Sequence, residues 1–125
     1  MKTATVPLSF TKEQVDNFGK LTGDNGPIHS VQGVVQGGFI LSMLPQWLTQ
    51  TPIGIEFIQD SKQAMSVMLD SKFRNKLMAG DQAEITFTYG NTESMLSKIN
   101  WKVHKGAHEY CSGKWVIYKS FIDNN

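Results

Sequence analysis

The sequence predicts an α+β domain in which an antiparallel sheet wraps around one helix, and three observations lead there. The segment from Phe39 to Leu48 is apolar around most of a helical circumference, which marks a helix enclosed by other structure. From Ala64 onward the hydrophobic period changes to two, in at least four runs that mostly carry one apolar side. A one-sided antiparallel sheet must cover something apolar, and the enclosed helix is the candidate. With 125 residues the chain is one domain, 1–125, large enough for a single core.

Residues 4–9 suit a short edge strand, where Pro7 is tolerated. A helix then starts clearly. Thr11 and Gln14 have capping-box spacing, and Phe10 and Val15 occupy the hydrophobic-staple positions. Val15 and Phe18 share one face, with Leu21 close to it, and the helix should stop between Gly19 and Gly23. A second helix is expected over about Gly37–Gln50, with Ser42, Gln46, Thr49 and Gln50 as a narrow polar stripe. Pro45 falls inside it, removes the amide bond back to Leu41 and should bend it. Residues 51–63 read as either strand or folded-back loop. Beyond them Met65, Val67, Leu69 and Phe73 share one side. Ala83, Ile85, Phe87 and Tyr89 alternate with polar residues, as do Met95, Ile99, Trp101 and Val103. The run Tyr110–Phe121 is bulky on both sides. Turns at Gly90–Glu93 and Lys105–Ala107 suggest hairpins.

Between the two helices lies the chemistry. Gly23-Asp24-Asn25-Gly26-Pro27-Ile28-His29 is a polar turn holding a carboxylate and an imidazole five positions apart. Such an aspartate also serves as an ordinary turn former. As a set, however, the two groups can hold a water and move protons, each transfer being worth roughly 10²–10⁴-fold. Gly37 and Gly38 begin the second helix, where free N–H groups and positive potential suit a developing oxyanion. Close helix-to-sheet packing accounts for the two glycines equally well. Ser42 has no histidine near it in sequence, and Cys111 reads as a small buried hydrophobe. Trp47, Trp101 and Trp115 read as core or interface residues, and His104 and His108 as solvated.

The turn Leu21-Thr22-Gly23-Asp24-Asn25-Gly26-Pro27-Ile28-His29 resembles the signature of the (R)-specific enoyl-thioester hydratases among the MaoC-like hot-dog proteins, a Gly-Asp-x-Asn-Pro-aliphatic-His pattern. Val34-Val35-Gln36-Gly37 resembles that family's aliphatic-aliphatic-His-Gly start of the central helix, and the likeness runs on loosely through Phe73 and Gly80-Asp81. Gly26 stands in place of the usual Asn, Gln36 in place of the common His, and the link from His29 to Gly37 is short. The resemblance implies the hot-dog fold and a lyase acting on acyl-CoA or acyl-carrier-protein thioesters. It also implies Asp24 and His29 as the catalytic pair, and Gly37 as oxyanion donor. Gly38 and Gln36 join Gly37 as candidate substrate-binding residues. A hot-dog acyl thioesterase and a non-catalytic acyl-binding subunit are the alternatives. No Asp or Glu occurs from Ser30 to Ile55, which counts against a thioesterase with an acidic central helix.

Composition limits the rest. Hydrophobic content of 40%, charged content of 18% and a net charge of +1 describe a globular protein without the basic character of a nucleic-acid binder. Three histidines and one cysteine, scattered, offer no zinc spacing, and no cofactor is expected. The absence of a signal peptide or membrane span, together with a lone cysteine, points to the cytoplasm. A single sheet around one helix leaves an edge exposed, so at least a homodimer is expected.

Overall fold

The computed structural model describes residues 2–55, 63–89 and 96–120. The elements run β1 (Lys2–Leu8), α1 (Lys12–Thr22), α2 (Pro27–Ser30), α3 (Gly37–Thr49), β2 (Gln63–Leu69), β3 (Lys72–Phe73), β4 (Ala83–Tyr89), β5 (Leu96–Lys105) and β6 (His108–Ser120). The strands form one antiparallel sheet in the order β1-β4-β5-β6-β2, with β3 also pairing to β6. Parts of the 51–63 segment, the Gly90–Glu93 turn, Met95 and Phe121 fall outside the described residues.

Period-two burial is cleanest in the centre of the sheet. Ala83, Ile85, Phe87 and Tyr89 of β4 are buried, as are Ile99, Trp101 and Val103 of β5. Register brings these inward side chains side by side, as in Val6 opposite Ile85, Phe87 opposite Trp101 and Ile99 opposite Trp115. Helix α3 lays Ile40, Leu44, Trp47 and Leu48 into the same core. That i, i+4, i+7, i+8 spacing is one helical face. The sheet therefore wraps around α3, and the fold is the hot-dog architecture expected.

Three sequence expectations are corrected by packing. Ser42, Gln46, Thr49 and Gln50 form the exposed polar stripe expected, but Pro45 joins it and Phe39, Leu41 and Met43 are only half-buried, so helix α3 is less enclosed than its composition suggests. Pro45 sits on that exposed side, so water can reach the Leu41 carbonyl it frees. Leu21 does not join the apolar face of α1; it is 86% exposed. The alternation expected of Met65, Val67 and Leu69 also fails. A register shift between Ser66 and Met68 breaks the period, and Met65, Val67, Met68 and Leu69 are all exposed on the edge strand β2. The opposite edge, β1, carries Pro7 as expected.

Candidate active site

Helix α1 delivers the polar turn. The Thr11 hydroxyl accepts the Gln14 amide at 3.1 Å, and the Gln14 side chain accepts the Thr11 amide at 2.9 Å. Phe10 and Val15 are buried together beneath this cap. Gly23 ends the helix in the left-handed conformation, φ 83°, with its amide bonded to the Gly19 carbonyl at 2.8 Å. The chain then folds back hard against the helix. A Cβ at Gly19 would lie only 3.0 Å from the Asp24 carbonyl oxygen and 2.9 Å from the Asn25 Cβ. A bare glycine there is what lets residues 24 and 25 approach.

His29 rides on α2, a single helical turn that Pro27 initiates and that the sequence did not announce. The Gly26 carbonyl accepts the His29 and Ser30 amides at 2.9 and 3.0 Å. This turn swings the imidazole back over Asp24, with Nε2 3.3 Å from the carboxylate Oδ1. Its other nitrogen, Nδ1, lies 2.7 Å from the Val34 carbonyl oxygen. A carbonyl only accepts, so Nδ1 carries a proton. In the neutral ring Nε2 then offers a lone pair toward a carboxylate that is also an acceptor. The two acceptors lie side by side, so a water at the open edge of the pair can donate a hydrogen bond to each. Asp24 is half-exposed while His29 is largely covered, so the pair opens to solvent from the aspartate side.

Gln36 lies one layer behind. It is fully buried, and its amide nitrogen donates to the Val15 carbonyl at 2.9 Å and the Asp24 carbonyl at 3.1 Å. Both its hydrogens are thus turned toward the protein backbone. Gly37 and Gly38 take the first two positions of α3, where no intrahelical carbonyl can reach their amides. Packing claims Gly37 too, since a Cβ there would meet the tip of the Phe73 ring at 2.9 Å. Gly38 faces Phe18, which stacks on Phe39 at 4.6 Å.

A cavity of about 340 Å³ opens beside the pair. Val34, Val35, Ile40, Phe73, Leu77, Tyr110 and Cys111 make its walls, His29 and Gly37 border it, and Arg74, Asn75 and Lys76 complete its lining. A more polar cavity of about 390 Å³ lies along α1, and His29 and Gln36 line it together with Val15, Asp16, Lys20, Asn25 and Ser30. The imidazole therefore borders an apolar chamber and a polar one. A larger depression, about 530 Å³, is lined by Thr86, Thr88, Asn100, Lys102 and Lys114 away from the pair and reads as a solvated sheet face. Sequence reasoning missed Val34, which acts through its carbonyl, and the placement of the Phe73 ring over Gly37. Among the described residues no helix is long and apolar enough to cross a membrane, and no group of three His, Cys, Asp or Glu is placed to hold a metal.

Cys111 is a core thiol. Burial first, and the nearby Glu109 carboxylate second, push it from an ordinary value near 9 up to about 12. Between those values the unfolded chain loses this proton while the folded chain keeps it, so stability falls as pH rises from about 9 toward 12. Cys111→Ala should lower stability at neutral pH through the lost packing yet show a shallower decline over that range. Urea unfolding at intervals from pH 7 to 11 reads both effects.

No protein-family model matches this sequence, and no curated protein matches it significantly. Solved structures do. The (R)-hydratase from A. caviae involved in PHA biosynthesis is 16% identical, with 94% of each chain covered and a TM-score of 0.76. An R-hydratase from Pseudomonas aeruginosa, unliganded, is 12% identical over 95% of this chain and 80% of its own, with a TM-score of 0.72. A mutant of the fluoroacetyl-CoA-specific thioesterase, in complex with fluoroacetate and CoA, is 11% identical over 94% and 90%, with a TM-score of 0.70. Hydratases and thioesterases thus share this backbone, and the chain has their hot-dog fold.

Proposed function

We propose that the protein is an (R)-specific 2-enoyl-thioester hydratase, equally a 3-hydroxyacyl-thioester dehydratase in reverse, acting on acyl-CoA or acyl-carrier-protein substrates. The observation that carries this reading is the Asp24–His29 pair, 3.3 Å apart, whose imidazole borders the same cavity as Gly37 at the start of α3. The (R) sense comes from the sequence likeness. The acyl tail enters the apolar chamber beside His29, and the thioester carbonyl approaches the Gly37 and Gly38 amides. Phe73, half-exposed on a two-residue strand, must leave room for it.

A water held by the pair gives one proton to it and its hydroxide to the β-carbon. The π electrons move onto the thioester oxygen as an enolate, which the glycine amides stabilise. The proton held by the pair then passes to the α-carbon, so one water supplies both added groups. The Val34 carbonyl keeps Nδ1 protonated, leaving Nε2 as the nitrogen that exchanges this proton. The free Cys111 accords with a reducing, cytoplasmic setting.

The test is a short 2-enoyl-CoA in parallel with its saturated analogue. Hydration consumes the conjugated absorbance, a thioesterase releases free thiol, and an acyl-binding subunit does neither. Asp24→Asn and His29→Ala should each lower kcat by roughly 10²-fold or more without unfolding the chain, because neither belongs to the core. Near-wild-type turnover in either folded variant would falsify the assignment.

Gly26 bears on how firmly the pair is held. Its φ of −60° suits any residue, it carries no side-chain cap for α2, and nothing lies within 4 Å of a Cβ placed there. Asparagine is a strong N-cap, and removing a glycine also narrows the unfolded ensemble. Gly26→Asn should therefore brace α2 and raise kcat several-fold, with a small rise in Tm. A folded variant that is no faster sinks the idea that this turn limits turnover.

A second copy is part of the same reading. Strand β2 leaves Met65, Val67, Met68 and Leu69 exposed on an edge with no proline or charge to block pairing. Edge-to-edge pairing of two copies covers these side chains, and light scattering should give a dimer. Met68→Lys should shift it toward monomer. A wild-type chain that stays monomeric at micromolar concentration contradicts this.

A further inference from the structure

Gln36 is an expensive residue to bury. Its Oε1 finds no partner among the described residues, although the side chain is wholly excluded from solvent. An unsatisfied buried acceptor opposes folding, and an apolar side chain of similar size would avoid that penalty. Nothing about the amide's orientation is free to change. Both neighbours are carbonyls, so the NH₂ end must face them and the oxygen must point away. The Val15 carbonyl already lies within the α1 ladder, so the bond it accepts from Gln36 answers no unmet backbone demand. What the two bonds do is geometric. One amide nitrogen ties α1, the Asp24 turn and the start of α3 to one point.

The neighbouring residues do the matching work for His29. The Val34 carbonyl holds Nδ1, and the Val35 amide is bonded to the Leu77 carbonyl at 2.8 Å. Within three residues the chain thus holds His29 through Val34 and Asp24 through Gln36, directly ahead of the Gly37 amide. We propose that Gln36 is a positioning residue, whose amide N–H groups hold the Asp24 backbone where its carboxylate meets His29 Nε2. This rests on the hydratase reading and assigns Gln36 no contact with substrate.

The experiment is a kinetic cycle on the full chain with a short 2-enoyl-CoA, using Gln36→Leu, Asp24→Asn and the double variant, each checked for folding by circular dichroism. A displacement of about 1 Å can cost on the order of 10²-fold. Gln36→Leu should therefore lower kcat by about that factor and leave KM within about threefold. Because Gln36 acts through Asp24, the double variant should be no more than about twofold slower than Asp24→Asn alone. Independent losses that multiply, or a folded Gln36→Leu with wild-type kcat, overturn the proposal. Gln36→Met, unbranched and without a donor, takes its place in the cycle if the leucine variant does not fold. Should the wild type hydrate no enoyl-CoA, the proposed activity fails, and crystal structures of wild type and variant decide the positioning separately. A lengthening of the 3.3 Å Asp24–His29 separation in the variant upholds it, and an unchanged separation overturns it.

Discussion

Residues 33–37 cross from α2 to α3 pinned on one side to the 77–79 turn, with the Val35 amide on the Leu77 carbonyl and the Ala79 amide on the Gly33 carbonyl, both at 2.8 Å. The site depends on this short ladder. It aims the Val34 carbonyl at His29, sends the Gln36 side chain inward toward Asp24 and Val15, and presents Gly37 as the first residue of the central helix. The 77–79 turn is anchored in its own right: the Asp81 carboxylate accepts the Met78 amide at 2.9 Å, and the Gly80 amide reaches the Phe10 carbonyl at 2.8 Å. Acid–base groups on a loop thereby gain the precision of the sheet and helix on either side.

The core supplies the rigidity. Ile40, Leu44, Trp47 and Leu48 of α3 meet Ile85, Phe87, Ile99 and Trp101 of the sheet, and each such side chain contributes about 1.5–3 kcal/mol when buried. Phe10 bridges the layers, packing edge-on against Phe39 at 4.7 Å and Trp47 at 5.9 Å. Since Phe10 also begins the cap of α1, the packing that holds α3 sets the angle at which α1 releases Asp24. Two glycines convert that packing into geometry for the site. Gly19 admits the Asp24–Asn25 turn against α1, and Gly37 admits the Phe73 ring over the start of α3. The two sequence readings of Gly37, close packing and free amides, thus meet at one residue.

Local signals carried far in this chain. The capping box at Thr11 and Gln14, the stop at Gly23, the start of α3 at Gly37 and the alternation of β4 and β5 each need only a few adjacent residues to declare themselves. Where a long-range neighbour decides the outcome, the same reasoning failed. Leu21 and the apolar residues of the Met65–Leu69 run are exposed, because Leu21 meets no packing surface among the described residues and a register shift intervenes in the run.

The sequence by itself determined α1 and α3, the one-sided sheet with a helix to cover, and the Asp24–His29 spacing, all of which follow from periodicity and turn chemistry over short windows. Only the tertiary structure decided how that spacing is used. The 3.3 Å approach of imidazole to carboxylate depends on how α2 folds back over the turn. The tautomer set by the Val34 carbonyl and the burial of Gln36 against Val15 and Asp24 each involve a backbone atom brought in by folding. Backbone carbonyls are the same in every residue and leave no mark in the sequence, so which of them a side chain meets is settled only when the helices and sheet pack.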